Sequence, residues 1–113
     1  MKIERVGDIT ILNYEGDLDA FSLPAVAEEV DTLVKGGDRK LVFNCSKVSF
    51  IGSAALGYLL SISKELKDLG GEHVVSEPSA FLRSTIVALG VEQVFKVFPT
   101  NDEAVAYFGA AGS

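Results

Sequence analysis

Short apolar runs alternate along this chain with longer segments in which apolar residues recur every three or four positions. Two of the short runs, Leu41–Phe43 and His73–Val75, are almost continuously apolar, which is typical of strands covered on both faces. Each longer segment ends at glycine: Gly36–Gly37, Gly70–Gly71 or Gly90. Strands that alternate with helices predict a largely parallel sheet with right-handed crossovers, and therefore an α/β fold.

The two ends of the chain complete this pattern. Residues 3–6 and 9–12 predict an antiparallel N-terminal hairpin, and Gly16–Asp19 is expected to end its second strand. The predicted order is β-β-α-β-α-β-α-β-α in one domain, 1–113, with a mixed sheet, about four helices and a frayed tail over 109–113. The finer expectations are an N-cap at Ser22 and at Ser79, a loop containing Ser46 and Ser49, a last strand over Val94–Val97, and a Thr100–Glu103 capping box before a short helix over 104–108.

Composition narrows the classes of partner. Hydrophobic residues make up 48% of the 113 positions, which predicts a packed core, and 16 acids against 10 bases give a net charge of −6. A basic patch is the usual mark of nucleic-acid or anionic-membrane binding, so neither partner is expected. With a single cysteine, no apolar signal segment and no uncharged run long enough to span a bilayer, we expect a cytoplasmic protein that does not insert into membranes.

The second predicted helix, from about residue 54 to 69, has an unusual outward face. Helical spacing places Leu56 with Ala55, Leu59, Leu60, Ile62, Leu66 and Leu69 on a buried face. The opposite face carries charges only in its second half, and its first half consists of Ala54, Gly57, Tyr58 and Ser61. This uncharged half predicts either a docking surface for a partner, or a stretch that is neutral or covered by another loop.

Ser53 lies where the preceding loop becomes this helix. An N-cap serine accepts a backbone hydrogen bond that contributes about 1 kcal/mol. A helix N-terminus also stabilises an attached phosphate, and Gly52 leaves an enzyme room to reach the hydroxyl. Phosphorylation would add about −1.5 to −2 charges beside the uncharged half and would so prevent docking. On the residues alone, the capping role and the switching role both stay open.

Other reactive side chains predict no catalytic, metal or cofactor site. His73 has no second histidine or cysteine at ligand spacing, and Cys45 is interpreted as a small core residue. Asp17 and Asp19 form a carboxylate pair for which a turn role ranks first and interface contact second. No Gly-x-Gly-x-x-Gly lies between a strand and a helix, so a dinucleotide is not expected. The chain is predicted not to be an enzyme.

Three segments resemble the STAS domain family of the anti-sigma factor antagonist type: Gly16–Asp19, Leu41–Gly57 and Leu69–Gly71. The resemblance implies that Ser53 is the phosphoacceptor of a serine kinase that is also an anti-sigma factor, an ATPase of the histidine-kinase-like type. It further implies a serine phosphatase that restores the binding form. The residues implied to contact the kinase are Asp19 and the start of the second helix: Gly52, Ser53, Ala54, Gly57, Tyr58 and Ser61.

Two departures from the family pattern leave an alternative open. Gly52 stands where the family usually has aspartate, and Asn44-Cys45-Ser46 replaces Asp-Leu-Ser. A non-phosphorylated STAS subunit that braces the ATPase of an ABC-type transporter would need no kinase to recognise Gly52. A small-ligand or enzyme role in an apolar cavity is a third hypothesis, for which the sequence supplies no convergent polar groups.

Overall fold

The computed structural model describes residues 1–94 and 96–111, apart from the side chains of residues 110 and 111. Within these residues the elements follow the predicted order. Strands and helices have these bounds: β1 (Lys2–Val6), β2 (Ile9–Leu18), α1 (Leu23–Lys35), β3 (Lys40–Ile51), α2 (Ser53–Asp68), β4 (Glu72–Ser76), α3 (Ala80–Ala88), β5 (Val97–Phe98) and α4 (Asn101–Ala111).

The strands form one mixed sheet in the order β1-β2-β3-β4-β5. β1 is antiparallel to β2, whereas the other neighbours are parallel. This confirms the predicted α/β class with an N-terminal antiparallel hairpin. Helices α1, α2 and α3 pack on one face of the sheet around residues such as Leu12, Phe43 and Val75. On the other face, Ala104 and Phe108 of α4 cover a smaller core.

β3 is longer than the sequence indicated. The expected loop with Ser46 and Ser49 is wrong, because β3 continues to Ile51 beside β2. β4 pairs only with residues 40–44 of β3. The second half of β3 therefore has one neighbouring strand, and most of its residues are exposed. Its polar residues reflect that exposure rather than a break in the strand.

The C-terminal elements also differ from their predicted bounds. The predicted strand over Val94–Val97 is wrong at its start, because Val94 lies in a turn and β5 begins at Val97; residue 95 lies outside the described residues. The Thr100 hydroxyl accepts the Glu103 amide at 3.1 Å, and α4 runs from Asn101 to Ala111. Residues 109–111, expected in a frayed tail, are thus helical, and alanine favours this. Residues 112 and 113 lie outside the described residues.

Gly71 occupies a position where a side chain does not fit. A Cβ there would overlap the backbone carbonyl of Arg39, whose oxygen accepts the Glu72 amide at 2.8 Å. The Arg39 guanidinium also donates to the carbonyls of Val34 at 2.7 Å and Asp38 at 2.9 Å, which fixes this segment. We expect Gly71→Ala to lower the free energy of unfolding by about 2 kcal/mol, since a rigid backbone must move.

Urea unfolding measures this cost. Gly109→Ala is the control, because a Cβ at Gly109 meets no atom within 4 Å; inside α4 it should leave the stability unchanged or raise it by up to about 1 kcal/mol. An unchanged urea midpoint for Gly71→Ala would contradict the prediction.

Candidate functional site

Ser53 is the first residue of α2, and the N-cap of this helix is Gly52. The Gly52 amide donates to the carbonyl of Leu18 at 2.9 Å, and the Gly52 carbonyl accepts the amide of Leu56 at 3.0 Å. The predicted N-cap role of Ser53 is therefore wrong, because the bond to the end of β2 holds the preceding residue at the junction. Ser53 is exposed, and within the described part of the chain its hydroxyl makes no hydrogen bond.

No side chain within α2 neutralises the positive N-terminal end of this helix. Gly52 supplies no side-chain cap, and no acid lies in the first turn. The first amides of a helix have no partner within the helix and carry a partial positive charge. An anionic group on Ser53 would therefore be stabilised where it is attached.

Asp19 lies beside this junction at the end of β2. Its Cα is 3.8 Å from the position that a Cβ on Gly52 would take. The Asp19 Oδ1 atom accepts the amides of Phe21 at 2.9 Å and Ser22 at 3.0 Å. The hydrogen bond from Ser22, followed by that from Phe21, lowers the pKa of the Asp19 carboxyl. The fold thus brings Asp19 and the start of α2 together.

The structure bears on two expectations near Asp19. Ser22 is the N-cap residue of α1, as predicted, but its side chain makes no capping bond; its hydroxyl accepts the Asp19 amide at 3.0 Å and donates to the Asp17 carbonyl at 2.8 Å. The Asp19 carboxylate accepts the amides just before α1 instead. Asp17 is not in a turn, because it lies in β2 opposite Phe50.

The outward face of α2 begins with a small, uncharged surface. Ala54, Gly57 and Ser61 are exposed there, and we call these three residues the α2 patch. A Cβ on Gly57 would meet no atom within 4 Å, so the described part of the chain does not cover this position. Tyr58 lies at the border of the patch. Its hydroxyl donates to Asp31 Oδ1 at 3.2 Å, and burial, followed by the charge of Asp31, raises the pKa of Tyr58.

The inward face of α2 agrees with the predicted spacing at most positions. Ala55, Leu56, Leu59, Ile62 and Leu66 are buried. Leu60 is only half-buried, and Leu69 is exposed because it lies at the C-cap, past the end of the helix.

Sequence reasoning missed that Ser63 is buried and lies 3.0 Å (Oγ to Nδ1) from His73. Its spacing from Leu59 and Leu66, four and three residues, was the available signal. Burial lowers the pKa of His73 to about 4. The histidine is therefore neutral at pH 7.

A second polar cluster joins β3 to the start of α4. Asn44 Nδ2 donates to Glu77 Oε2 at 2.9 Å and to Asn101 Oδ1 at 2.8 Å, while Asn44 Oδ1 accepts from Ser46. An aspartate at position 44 would place a second carboxylate against Glu77. The amide of asparagine instead donates to that carboxylate.

The remaining candidates were Cys45 and a possible metal site. Cys45 is buried, and burial raises the pKa of its thiol to about 12. The described residues contain no group of three or more His, Cys, Asp or Glu side chains placed to hold a metal ion. Over the same residues, every helix is too short or too polar to cross a bilayer.

Comparison with known proteins settles the family. The STAS domain family model matches residues 1–104. The chain belongs to the STAS domain family. Among its relatives is the anti-sigma-F factor antagonist RsfB of Mycobacterium tuberculosis, which is 27% identical over 97 residues, 86% of this chain and 79% of RsfB.

Two solved structures with this fold come from different kinds of protein. The Bacillus cell fate determinant SpoIIAA in its phosphorylated form aligns with a TM-score of 0.75 at 21% identity, covering 95% of this STAS domain and 97% of SpoIIAA. The murine anion transporter Slc26a9 aligns with a TM-score of 0.77 at 22% identity, covering 95% of this STAS domain but 18% of the transporter. At these identities the alignments establish the fold alone.

Proposed function

We propose that this STAS domain is a cytoplasmic anti-sigma factor antagonist that binds a serine kinase/anti-sigma factor and is released from it by phosphorylation of Ser53. The observation that carries the proposal is an exposed serine hydroxyl, without a hydrogen-bond partner among the described residues, at the N-terminus of α2 beside the uncharged α2 patch. The name of the relative RsfB and the existence of SpoIIAA in a phosphorylated form support this choice. The kinase would be an ATPase of the histidine-kinase-like type.

When Ser53 is unphosphorylated, the kinase packs on Asp19, Gly52, Tyr58 and the α2 patch. Phosphoryl transfer forms a bond between Ser53 Oγ and the γ-phosphorus of ATP, releases ADP, and passes the hydroxyl proton to a base on the kinase. The product carries about −1.5 to −2 charges at a surface that the kinase had desolvated. Burying that charge without a partner is costly, so the complex dissociates. A serine phosphatase hydrolyses the phosphoserine and restores the binding form.

Phosphorylation of the purified protein tests this cycle. The wild-type chain is incubated with ATP and each histidine-kinase-like ATPase of the same genome, and the modified residue is located by mass spectrometry. We expect one phosphate, on Ser53. Ser53→Ala should abolish it, whereas Ser49→Ala, which removes another exposed serine, should not. Phosphate at a different residue, or none with any of these kinases, would defeat the switch.

Gly52→Asp tests whether the missing acidic neighbour limits phosphorylation. The backbone of Gly52, with φ −86° and ψ 168°, suits any residue. A Cβ there would lie 3.5 Å from the Phe50 ring, an ordinary contact. We expect the phosphorylation rate to rise roughly tenfold, which corresponds to about 1.4 kcal/mol in the barrier, because the kinase regains the carboxylate typical of its substrates. Gly52→Ala is the control, and an equal rise in both variants would refute a role for the charge.

A second candidate is a non-phosphorylated STAS subunit that braces the ATPase of an ABC-type transporter. Gly52 favours it, because no kinase has to recognise this position. The occurrence of the fold within an anion transporter is compatible with it. Co-purification from cells separates the two candidates: an ABC-type ATPase as the bound protein supports the second, and a histidine-kinase-like ATPase supports the first.

A further inference from the structure

Three phenylalanines near the start of α2 expose about half or more of their surface to solvent. The side chain of Phe21 is 95% exposed, that of Phe81 68% and that of Phe50 49%. Scattered exposed apolar residues need no explanation, but a contiguous group of them does.

The three phenylalanines lie near the start of α2, although they come from β3, from α3 and from the turn between β2 and α1. The Phe50 ring lies 3.5 Å from the position of a Cβ on Gly52, the residue before Ser53. Phe81, at the start of α3, lines one small surface cleft together with Phe50. Phe21 donates its amide to Asp19, whose Cα is 3.8 Å from the same Gly52 position. We call these three side chains the phenylalanine cluster.

The area of the cluster is large enough to matter for binding. A phenylalanine contributes roughly 150–250 Å², so exposed fractions of 95%, 68% and 49% amount to roughly 300–500 Å². One side of a protein–protein interface of standard size buries about 800 Å². The cluster would supply about half of that, and the adjoining α2 patch is also uncharged. The net charge of −6 disfavours an anionic membrane as the occupant.

We propose that the phenylalanine cluster forms the apolar anchors of the complex with the kinase whose binding Ser53 controls. This inference rests on the proposed function. The kinase must present an uncharged apolar recess to each ring, since aromatic anchors in desolvated pockets dominate interface energies.

Affinity measurements with the purified histidine-kinase-like ATPase test the proposal. Isothermal titration compares the wild-type chain with Phe21→Ala, Phe50→Ala and Phe81→Ala. Leu89→Ala is the matched control, because Leu89 is a 57% exposed apolar residue outside the cluster, beyond the C-terminal end of α3. We expect each phenylalanine variant to weaken binding at least tenfold, and Leu89→Ala less than twofold. Binding of the wild type should vary little between low and high salt, as apolar anchors require.

The outcomes separate this inference from the proposed function. If each of the three alanine variants binds the kinase as tightly as the wild type does, the phenylalanines are not anchors of the complex, and the proposed switch at Ser53 is unaffected. A wild-type chain that binds no such kinase overturns both. Sedimentation that reveals wild-type dimers, absent in the variants, assigns the cluster to a second copy and overturns the inference. Phe21 and Phe81 are too exposed for their loss to unfold the domain, which an unchanged urea midpoint verifies.

Discussion

Gly57→Arg is expected to reduce binding of the unphosphorylated protein to its kinase at least about 100-fold, or about 2.7 kcal/mol, without destabilising the domain. A side chain at position 57 extends into open space from the middle of the α2 patch. It would prevent the close approach that a glycine on an outward helix face allows. Within the domain the same substitution is favourable, because glycine inside a helix costs about 1 kcal/mol relative to good helix formers such as arginine.

The controls for this prediction separate size, charge and stability. Gly57→Ala should raise the free energy of unfolding by about 1 kcal/mol and change binding less than fivefold. Gly109→Arg places the same cation on α4, which packs on the opposite face of the sheet, and should leave binding unchanged. Titration calorimetry measures the affinity of each variant for the kinase, and urea unfolding measures its stability. If the Gly57→Arg variant bound the kinase as tightly as the wild type does, the α2 patch would not be part of the interface.

Lowering the pH from 6.5 to 4 is expected to cost this domain about 3 kcal/mol through His73 alone. The imidazole is buried against Ser63, and burial lowers the pKa of His73 to about 4 from 6.5. Between these two values the unfolded chain binds a proton that the native state does not. The contribution of His73 to stability is therefore complete above pH 6.5 and is lost as the pH falls toward 4.

Urea unfolding at several pH values measures this loss. Its control is His73→Gln, which should lower stability at pH 7 but give a flatter pH dependence between 4 and 6.5. Below pH 4, both proteins should lose further stability, since hydrogen bonds lower the pKa of Asp8, Asp19 and Asp38. Parallel curves for the two proteins from pH 4 to 6.5, or an imidazole that titrates near 6.5 by NMR, would contradict the prediction.

The order of elements could be predicted because its signals are local. Apolar runs, helical spacing and glycine stops each involve a few consecutive residues. The length of β3 could not, because its second half is a strand only through pairing with β2, a distant segment. The same holds for Gly52. It, rather than Ser53, is the N-cap because its amide donates to Leu18, 34 positions earlier in the sequence.

In the candidate site, too, local patterns predicted some residues, whereas contacts between distant segments determine others. Helical spacing correctly placed Ala54, Gly57 and Ser61 on the exposed face of α2, and the glycine-rich junction drew attention to Ser53. Tyr58 was assigned to the same face, but its hydroxyl is committed to Asp31 of α1. The phenylalanine cluster draws on three separated elements, so no window of sequence contains its signal.

The ordinary backbone angles of Gly52 also bear on how such switches evolve. A glycine codon can become an aspartate codon by one base change, and the fold accommodates either residue at this position. On the proposed function, two copies that arise by gene duplication could acquire different kinases through this one substitution, without an unstable intermediate. Residue 52 would then separate two signalling pathways that use the same fold.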